Sequence, residues 1–307
     1  MNLQKTKGNL LLLLTTLIWG CTFVAQDKAM AHIGPYTFQT TRSLIGAAVL
    51  VPVILFFAAQ SKRQEGYTPA TKKDTLYLIR AGAVCGFFLA VASCFQQVGI
   101  ASGTGAGKAG FITAMYIFFV PLLGIPLKKK VQPHVFACVV LAAVGLYFLC
   151  IKQGSLQFAV GDLLMLGSAF VFGFQILAVD HFAPRVRDCI ALASLQFLFS
   201  GLFSSIPMLI FEWGTELSSI LDASGYILFA GVLSCGVAYT LQIVGQKYTE
   251  PTVASLIMSF EAVFACLAGM VVPPHVIPTG RELLGCALMF VAILLAQLNL
   301  PVRNKKK

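Results

Sequence analysis

The sequence is poor in charge: Asp, Glu, Lys and Arg make up 11% of its 307 residues. A water-soluble domain carries about 25%, so this chain has too few charged groups to cover a water-facing surface. Metal-site spacing is missing as well. None of the nine Cys forms a Cys-x-x-Cys pair, and none of the four His stands at zinc spacing from a Cys or in a His-Glu-x-x-His motif. The cysteines read as small apolar packing residues, not as disulfides or metal ligands. His32, His134, His181 and His275 fall at loops or span ends and read as surface side chains. No nucleotide-binding motif survives inspection. Gly105-Ala106-Gly107-Lys108-Ala109-Gly110 fits the letters of GxGxxG, but no strand precedes it and no βαβ unit follows. A phosphate-binding P-loop fails there too, because Ser102 and Ala109 stand where its first Gly and final Ser/Thr belong. Any energy source is then an ion or solute gradient.

Hydrophobic length is what the chain has in abundance. Its composition is 58% hydrophobic, with mean hydropathy +0.84. Ten apolar stretches read as spans over 9–28, 35–58, 75–98, 102–127, 131–151, 160–180, 188–211, 221–246, 251–272 and 281–300. Each is of the roughly 20 residues that cross a hydrocarbon core as helix. Turn signals such as Gly34-Pro35, Glu250-Pro251 and Pro273-Pro274 separate them. The loops are too short for a soluble sensor domain, which argues against a receptor. Lys5 and Lys7 before Leu10–Ile18 imitate a signal peptide, and Gly20-Cys21 a lipoprotein cleavage site. Trp19 fits poorly just before that Gly, and the apolar run continues to Ala25, so an uncleaved first helix is expected.

The net charge of +10 suits a nucleic-acid ligand only if the cations share a face, and they do not. The two tails and the even-numbered gaps hold sixteen of the 22 Lys and Arg; the odd-numbered gaps hold Lys28, Lys152 and Arg281. The positive-inside rule then places both termini in the cytoplasm of a multi-pass protein of the cell membrane. The chain also repeats weakly. Phe95–Leu123 aligns with Leu241–Gly269 without a gap, 146 residues on, sharing Gln96/Gln242, Val98/Val244, Gly99/Gly245 and Phe118/Phe264. Five spans is an odd number, so residues 9–151 and 160–300 are expected as two five-helix repeats of opposite orientation. Inverted repeats of this kind recur in secondary carriers, with the substrate site near the midplane.

Several short motifs occur in order along the chain: Trp19-Gly20 in span one, and Pro35-Tyr36-Thr37-Phe38-Gln39-Thr40-Thr41-Arg42 opening span two. Gly161-Asp162-Leu163-Leu164 opens span six, and Ser259-Phe260-Glu261-Ala262-Val263-Phe264-Ala265 lies in span nine. Together they resemble the EamA-type drug/metabolite transporters. Gly107-Lys108-Ala109-Gly110-Phe111-Ile112-Thr113, leading to Val120-Pro121-Leu122, looks like a bacterial subgroup. The resemblance implies ten helices around a central cavity, and export or exchange of small metabolites such as amino acids. Many members carry Pro after the span-nine Glu; here that residue is Ala262.

Three charges stand inside the spans, where each costs at least a few kcal/mol unless paired, hydrated or protonated. Glu261 lies about ten residues into span nine, roughly 15 Å deep. It is either a cavity carboxylate that binds substrate or carries a coupling proton, or a hydrogen-bonder between helices. Lys108 can bind a substrate carboxylate or phosphate, pair with an acid, or snorkel to the outer surface. Arg42 has a fixed fork that clamps a carboxylate or ties helix ends together, and the structural or gating role is the favoured one. Trp19, Phe23 and Gln26 share one face of span one, and Lys108, Ile112, Met115 and Tyr116 one face of span four. Gln175 in span six and Tyr239 and Gln242 in span eight complete a polar, aromatic stripe suited to small amphipathic solutes. The candidate substrate-binding set is therefore Trp19, Gln26, Arg42, Lys108, Tyr116, Gln175, Tyr239, Gln242 and Glu261, with Glu261 the proton-coupling candidate.

These features converge on an all-α integral membrane carrier that works by alternating access, with no cofactor or metal. Its partners are the bilayer and a small-molecule substrate. A membrane enzyme acting on lipid-like substrates would need clustered acids or His at a membrane face; Glu212, Glu216 and Asp222 are scattered and loop-borne. A channel is the remaining alternative, and the repeat and single midplane Glu favour a carrier.

Overall fold

The computed structural model describes residues 3–63, 68–104, 106–129, 133–150, 159–271 and 279–296, with 107, 149 and 150 described by backbone only. Gly66, Gly105, Lys130, Gln132, Lys152, Pro273-Pro274, His275 and the C-terminal Arg303 and Lys305 to Lys307 lie outside the described residues. Among those described, every regular element is helical. In chain order these are α1 (Leu3–Ala29), α2 (Pro35–Lys62), α3 (Lys72–Ala101), α4 (Ala106–Ala114), α5 (Tyr116–Gly124), α6 (Pro133–Cys150), α7 (Val160–Phe182), α8 (Cys189–Phe211), α9 (Leu217–Asp222), α10 (Ser224–Leu228), α11 (Tyr239–Gln246), α12 (Pro251–Met258), α13 (Glu261–Val271) and α14 (Gly280–Ala296). A π-helical stretch, Phe229–Ala238, joins α10 to α11.

Among the described residues, seven helical segments are long and apolar enough to cross a membrane. They are α1, α2, α3, the run Val160–Arg185, α8, Ser224–Gln246 and Pro251–Val271. Two shorter apolar segments, Lys108–Gly124 and Pro133–Phe148, lie within the expected spans 102–127 and 131–151, and the 17-residue α14 overlaps 281–300. Lipid-facing side chains are apolar, with Leu55, Phe56, Leu122, Ile210 and Phe290 all more than half exposed. The protein is a multi-pass membrane protein. Several helices overrun the spans expected from hydropathy: α1 already begins at Leu3 and α2 ends at Lys62, because Lys5, Lys7 and Lys62 continue the backbone hydrogen bonding while their long stems carry the charge outward.

Local chemistry explains the helix starts. Thr71 and Asp74 form a reciprocal capping box at α3, and Asp188 accepts from Ile190 and Ala191 at the head of α8. Gly34 offers α2 no side-chain cap. Glu212, from the end of α8, accepts instead from the Tyr36 and Thr37 amides at 3.0 and 2.6 Å, so a distant residue caps this helix.

Two spans are broken mid-way. At Met115, and again at Ser259 and Phe260, three-residue hydrogen bonds replace the four-residue helical pattern: Met115 N to Ile112 O, Phe118 N to Met115 O, Phe260 N to Ile257 O, Val263 N to Phe260 O. The second break forms without a proline, since position 262 is Ala. The first also cuts the continuous face expected to run from Lys108 to Tyr116.

The helices pack in a regular order: α2 against α8, α3 against α7 and α8, α6 against α14, α1 against α11, α13 and the π segment. Two glycine pairs meet reciprocally, each facing the other's backbone. A Cβ on Gly99 or Gly161 would stand 3.0 Å from the other's carbonyl oxygen where α3 ends and α7 begins. Gly245 and Gly8 meet in the same way, at 3.0 and 2.9 Å, where α11 ends and α1 begins. Gln97, two residues before Gly99, donates to Gln26 near the end of α1, whereas Gly8 lies near its start, so the two crossings lie at opposite faces of the bundle. We call the face where α1 begins the near face and the other the far face.

A buried polar cavity as the candidate functional site

Where α1, α2, α3, α7, α11 and the two broken spans converge, a cavity of about 30 Å³ remains, room for a water molecule or two. Its walls bring together eight of the nine residues singled out from the sequence: Trp19, Gln26, Arg42, Tyr116, Gln175, Tyr239, Gln242 and Glu261. Lys108 is not among them. Its Nζ donates to Asp162 Oδ2 at 2.6 Å, an ion pair between α4 and α7 at the far face. Asp162 is almost fully buried, and it also accepts from Thr104 Oγ1 at 3.2 Å and from the Ala159 amide at 2.8 Å. The remaining walls are Phe23, Gln96, Thr113, Phe172, Ile176 and Ser234. Gln96 had a sequence signal, since it is the repeat partner of Gln242. Ser234 is turned into the cavity from the π-helical stretch, which hydropathy does not reveal.

The breaks place the central contact. Tyr116 is the first residue of α5 and Glu261 the first of α13, so each follows a break directly. The Tyr116 hydroxyl donates to Glu261 Oε1 at 3.0 Å. On the α2 side, Arg42 Nε donates to Gln39 Oε1 at 2.8 Å, and the guanidinium carbon lies 5.3 Å from the Phe38 ring centre. Among the described residues no carboxylate lies within 4.0 Å of Arg42 and no cation within 4.0 Å of Glu261. Both are buried, at 5% and 3% exposure.

Amides fill the surroundings. Gln242 donates to Gln175 at 3.2 Å and Gln175 to Gln196 at 3.3 Å, linking α11, α7 and α8. Gln96 donates to Thr113 at 3.2 Å, and Gln97 donates to Gln26. Trp19 packs on Tyr239, ring centres 4.6 Å apart. Two buried polar atoms of the wall, Trp19 Nε1 and Gln242 Oε1, have no hydrogen-bond partner among the described residues. Among those residues, too, no three His, Cys, Asp or Glu side chains are grouped to hold a metal ion.

A membrane-spanning helical bundle with a charged, polar cavity at its centre has the form of a transport protein. The EamA-like transporter family matches the chain twice, over residues 6–151 and 159–298, and the chain belongs to this family. It is 30% identical over 305 residues to an uncharacterized transporter of Archaeoglobus fulgidus, covering 96% of this chain and 87% of that one. It is 25% identical over 270 residues to the uncharacterized transporter YoaV of Bacillus subtilis, covering 83% and 84%. A protein of known crystal structure, 18% identical, shares the fold with a TM-score of 0.73 over 95% of this chain and 96% of its own.

Proposed function

We propose that this transporter of the EamA type is a secondary carrier of the cell membrane, exporting or exchanging small amphipathic metabolites, amino acids among them. Residues 9–151 and 160–300 act as two inverted five-helix halves, and the near face, with both termini, is cytoplasmic. The observation that carries this reading is the cavity. Trp19, Gln26, Arg42, Gln96 and Tyr116 come from the first half and Gln175, Tyr239, Gln242 and Glu261 from the second, so relative movement of the halves would reshape it. The reciprocal glycine crossings support the inverted pairing, because Gly99 and Gly245 are the residues that the sequence repeat aligns.

At about 30 Å³ the cavity is contracted, and a metabolite enters only as one face opens. The breaks at Met115 and at Ser259–Phe260 supply the joints, since the four-residue helical hydrogen bonding gives way there to three-residue bonds at the bundle centre. Glu261 is the proposed carrier of a coupling proton.

The test is flux in proteoliposomes under an imposed proton gradient. Wild-type transport is expected to depend on the gradient, and Glu261→Gln to transport at a rate indifferent to it. Unchanged pH dependence in that variant removes the coupling role. Absence of flux above empty vesicles across a metabolite panel removes the carrier reading.

A further inference from the structure

A second cavity, a cleft, lies at the near face, where α2 and α7 end and α3 and α8 begin. At about 1110 Å³ it exceeds the roughly 300–1,000 Å³ that holds a drug-sized solute. Its wall is divided in character. Phe57, Ala58, Leu78 and Ile190 supply an apolar part, and Phe57 and Ala58 are exposed on the same helix as the lipid-facing Leu55 and Phe56. Lys73, Arg185, Arg187, Asp74 and Asp188 supply a charged part. Along α3, Leu78 follows Lys73 by about 7.5 Å of helical rise, so the apolar part lies deeper in the membrane than the cations.

The two acids are already engaged as helix caps. Asp74 accepts from the Thr71 amide and hydroxyl, both at 2.9 Å, and Asp188 from the Ile190 and Ala191 amides at 2.8 and 3.0 Å. Arg187 is engaged too: it donates to Thr68 Oγ1 at 2.7 Å and stands 3.8 Å from Asp74. Lys73 and Arg185 are left. Among the described residues no carboxylate lies within 4.0 Å of either. Arg185 donates to the His181 carbonyl, a bond that brings no negative charge.

We propose that this cleft binds one anionic phospholipid, its phosphodiester held by Lys73 and Arg185 and its acyl chains lying along Phe57, Leu78 and Ile190. A soluble phosphate would answer the cations alone and leave the apolar wall unfilled. A zwitterionic lipid would fill that wall but bring its own ammonium to a part that is already positive. Lys73 belongs to the first EamA-like stretch of the chain and Arg185 to the second, so the bound headgroup joins the two at this face. The site is separate from the central cavity, with which it shares no wall residue.

The experiment is thermal unfolding of the full chain in a nonionic detergent. It is titrated with dioleoyl phosphatidylglycerol, with dioleoyl phosphatidylcholine and with glycerol phosphate, the head without the chains. A ligand of the folded state raises the midpoint by mass action. Phosphatidylglycerol is expected to raise it saturably, with at least tenfold higher apparent affinity than either of the others. Lys73→Gln and Arg185→Gln should each weaken that affinity about fivefold, the effect of one cation beside an anionic lipid. Lys62→Gln and Lys72→Gln remove equal charge at the same face outside the cleft, and should change it less than about twofold. Equal affinity for phosphatidylcholine, or no stabilisation by any of the three, overturns the proposal on the wild-type protein alone. Equal affinity for glycerol phosphate overturns the lipid assignment and makes the cleft a soluble-anion site. Equal weakening by all four substitutions would mean diffuse attraction to a basic surface, with no site in the cleft.

Discussion

At the far face, Gly99 and Gly161 let α3 and α7 touch backbone to backbone, and Thr104 donates to Asp162 beside them at 3.2 Å. At the near face, Gly245 and Gly8 do the same for α11 and α1, and Thr249 donates to Asn9 at 3.0 Å. The two closures share a geometry: a glycine crossing, then a threonine hydroxyl reaching from the loop after one helix to the first turns of the other. They differ in one functional group. Asp162 carries a charge and draws in Lys108 from α4 as a third member, whereas Asn9 is neutral. Hydrogen bonds to charged groups contribute about 1.5–3 kcal/mol against roughly 1 for neutral pairs, so the far closure is the stronger. Both are made at once here, which fits a cavity contracted to about 30 Å³. On the proposed alternating-access reading, unequal closures leave the protein resting with the stronger one shut.

The largest effects are expected where the two closures are alike. A Cβ at Gly161 would meet Thr104 Oγ1 at 2.8 Å and Gly99 O at 3.0 Å; one at Gly8 would meet Thr249 Oγ1 at 2.8 Å and Gly245 O at 2.9 Å. Backbone oxygens cannot rotate away, so Gly161→Val and Gly8→Val should each lower stability by about 3 kcal/mol, read as a fall in thermal midpoint in detergent. Similar losses confirm the shared geometry. A large loss at one site only would show that the two crossings are not equivalent.

Asp162 comes next, because it is where the closures diverge. Asp162→Ala removes the acceptor that Lys108 Nζ, Thr104 Oγ1 and the Ala159 amide share and should cost about 2–3 kcal/mol. Asp162→Asn gives the far closure the chemistry of the near one. It keeps an acceptor for Thr104, loses the charge that holds Lys108, and should cost about 1.4 kcal/mol. That is a tenfold shift in any equilibrium between far-closed and far-open forms. A cysteine at Gln96 reports the shift: its labelling by a membrane-impermeant maleimide from the far side should quicken about tenfold in the Asn variant. Unchanged labelling would mean that the Asp162 cluster holds the fold without gating access.

How much of this could be read from the sequence depends on what each residue leaves in a linear pattern. Apolar runs gave the helices, because hydropathy is a local property and a bilayer demands about 20 residues of it. Polar residues inside those runs gave the cavity wall, since Trp19, Gln26, Arg42 and Glu261 stand out against Leu and Phe. Asp162 stood out only within a short family motif, because an acid at the head of a helix reads as an ordinary cap. Its partnership with Lys108 joins residues 54 positions apart and follows from packing alone. The break at Ser259 and Phe260 left no mark either. With Ala262 in place of Pro, nothing in the composition forbids a continuous helix there, and tertiary contacts decide it. Gln196, buried behind Gln175, escaped for a third reason: one amide in an apolar helix shows no partner until the neighbouring helices are known.

The smallest expected effect is the sharpest measure of the difference between the closures. A double-mutant cycle of Asn9→Ala with Thr249→Val isolates the neutral bond, and one of Asp162→Ala with Thr104→Val isolates its charged counterpart. The near cycle should give a coupling of about 0.5–1 kcal/mol, and the far cycle about 1.5–3 kcal/mol. Thr249 is buried and Asn9 only half so, which leaves water free to replace part of the near bond and lowers its coupling further. Equal couplings would mean that the Asp162 charge is spent entirely on Lys108 and strengthens nothing else. In that case Lys108→Met should weaken the far closure as much as Asp162→Asn does. The unequal result instead makes Asp162 itself the acceptor that holds loop, helix and lysine together at the far face.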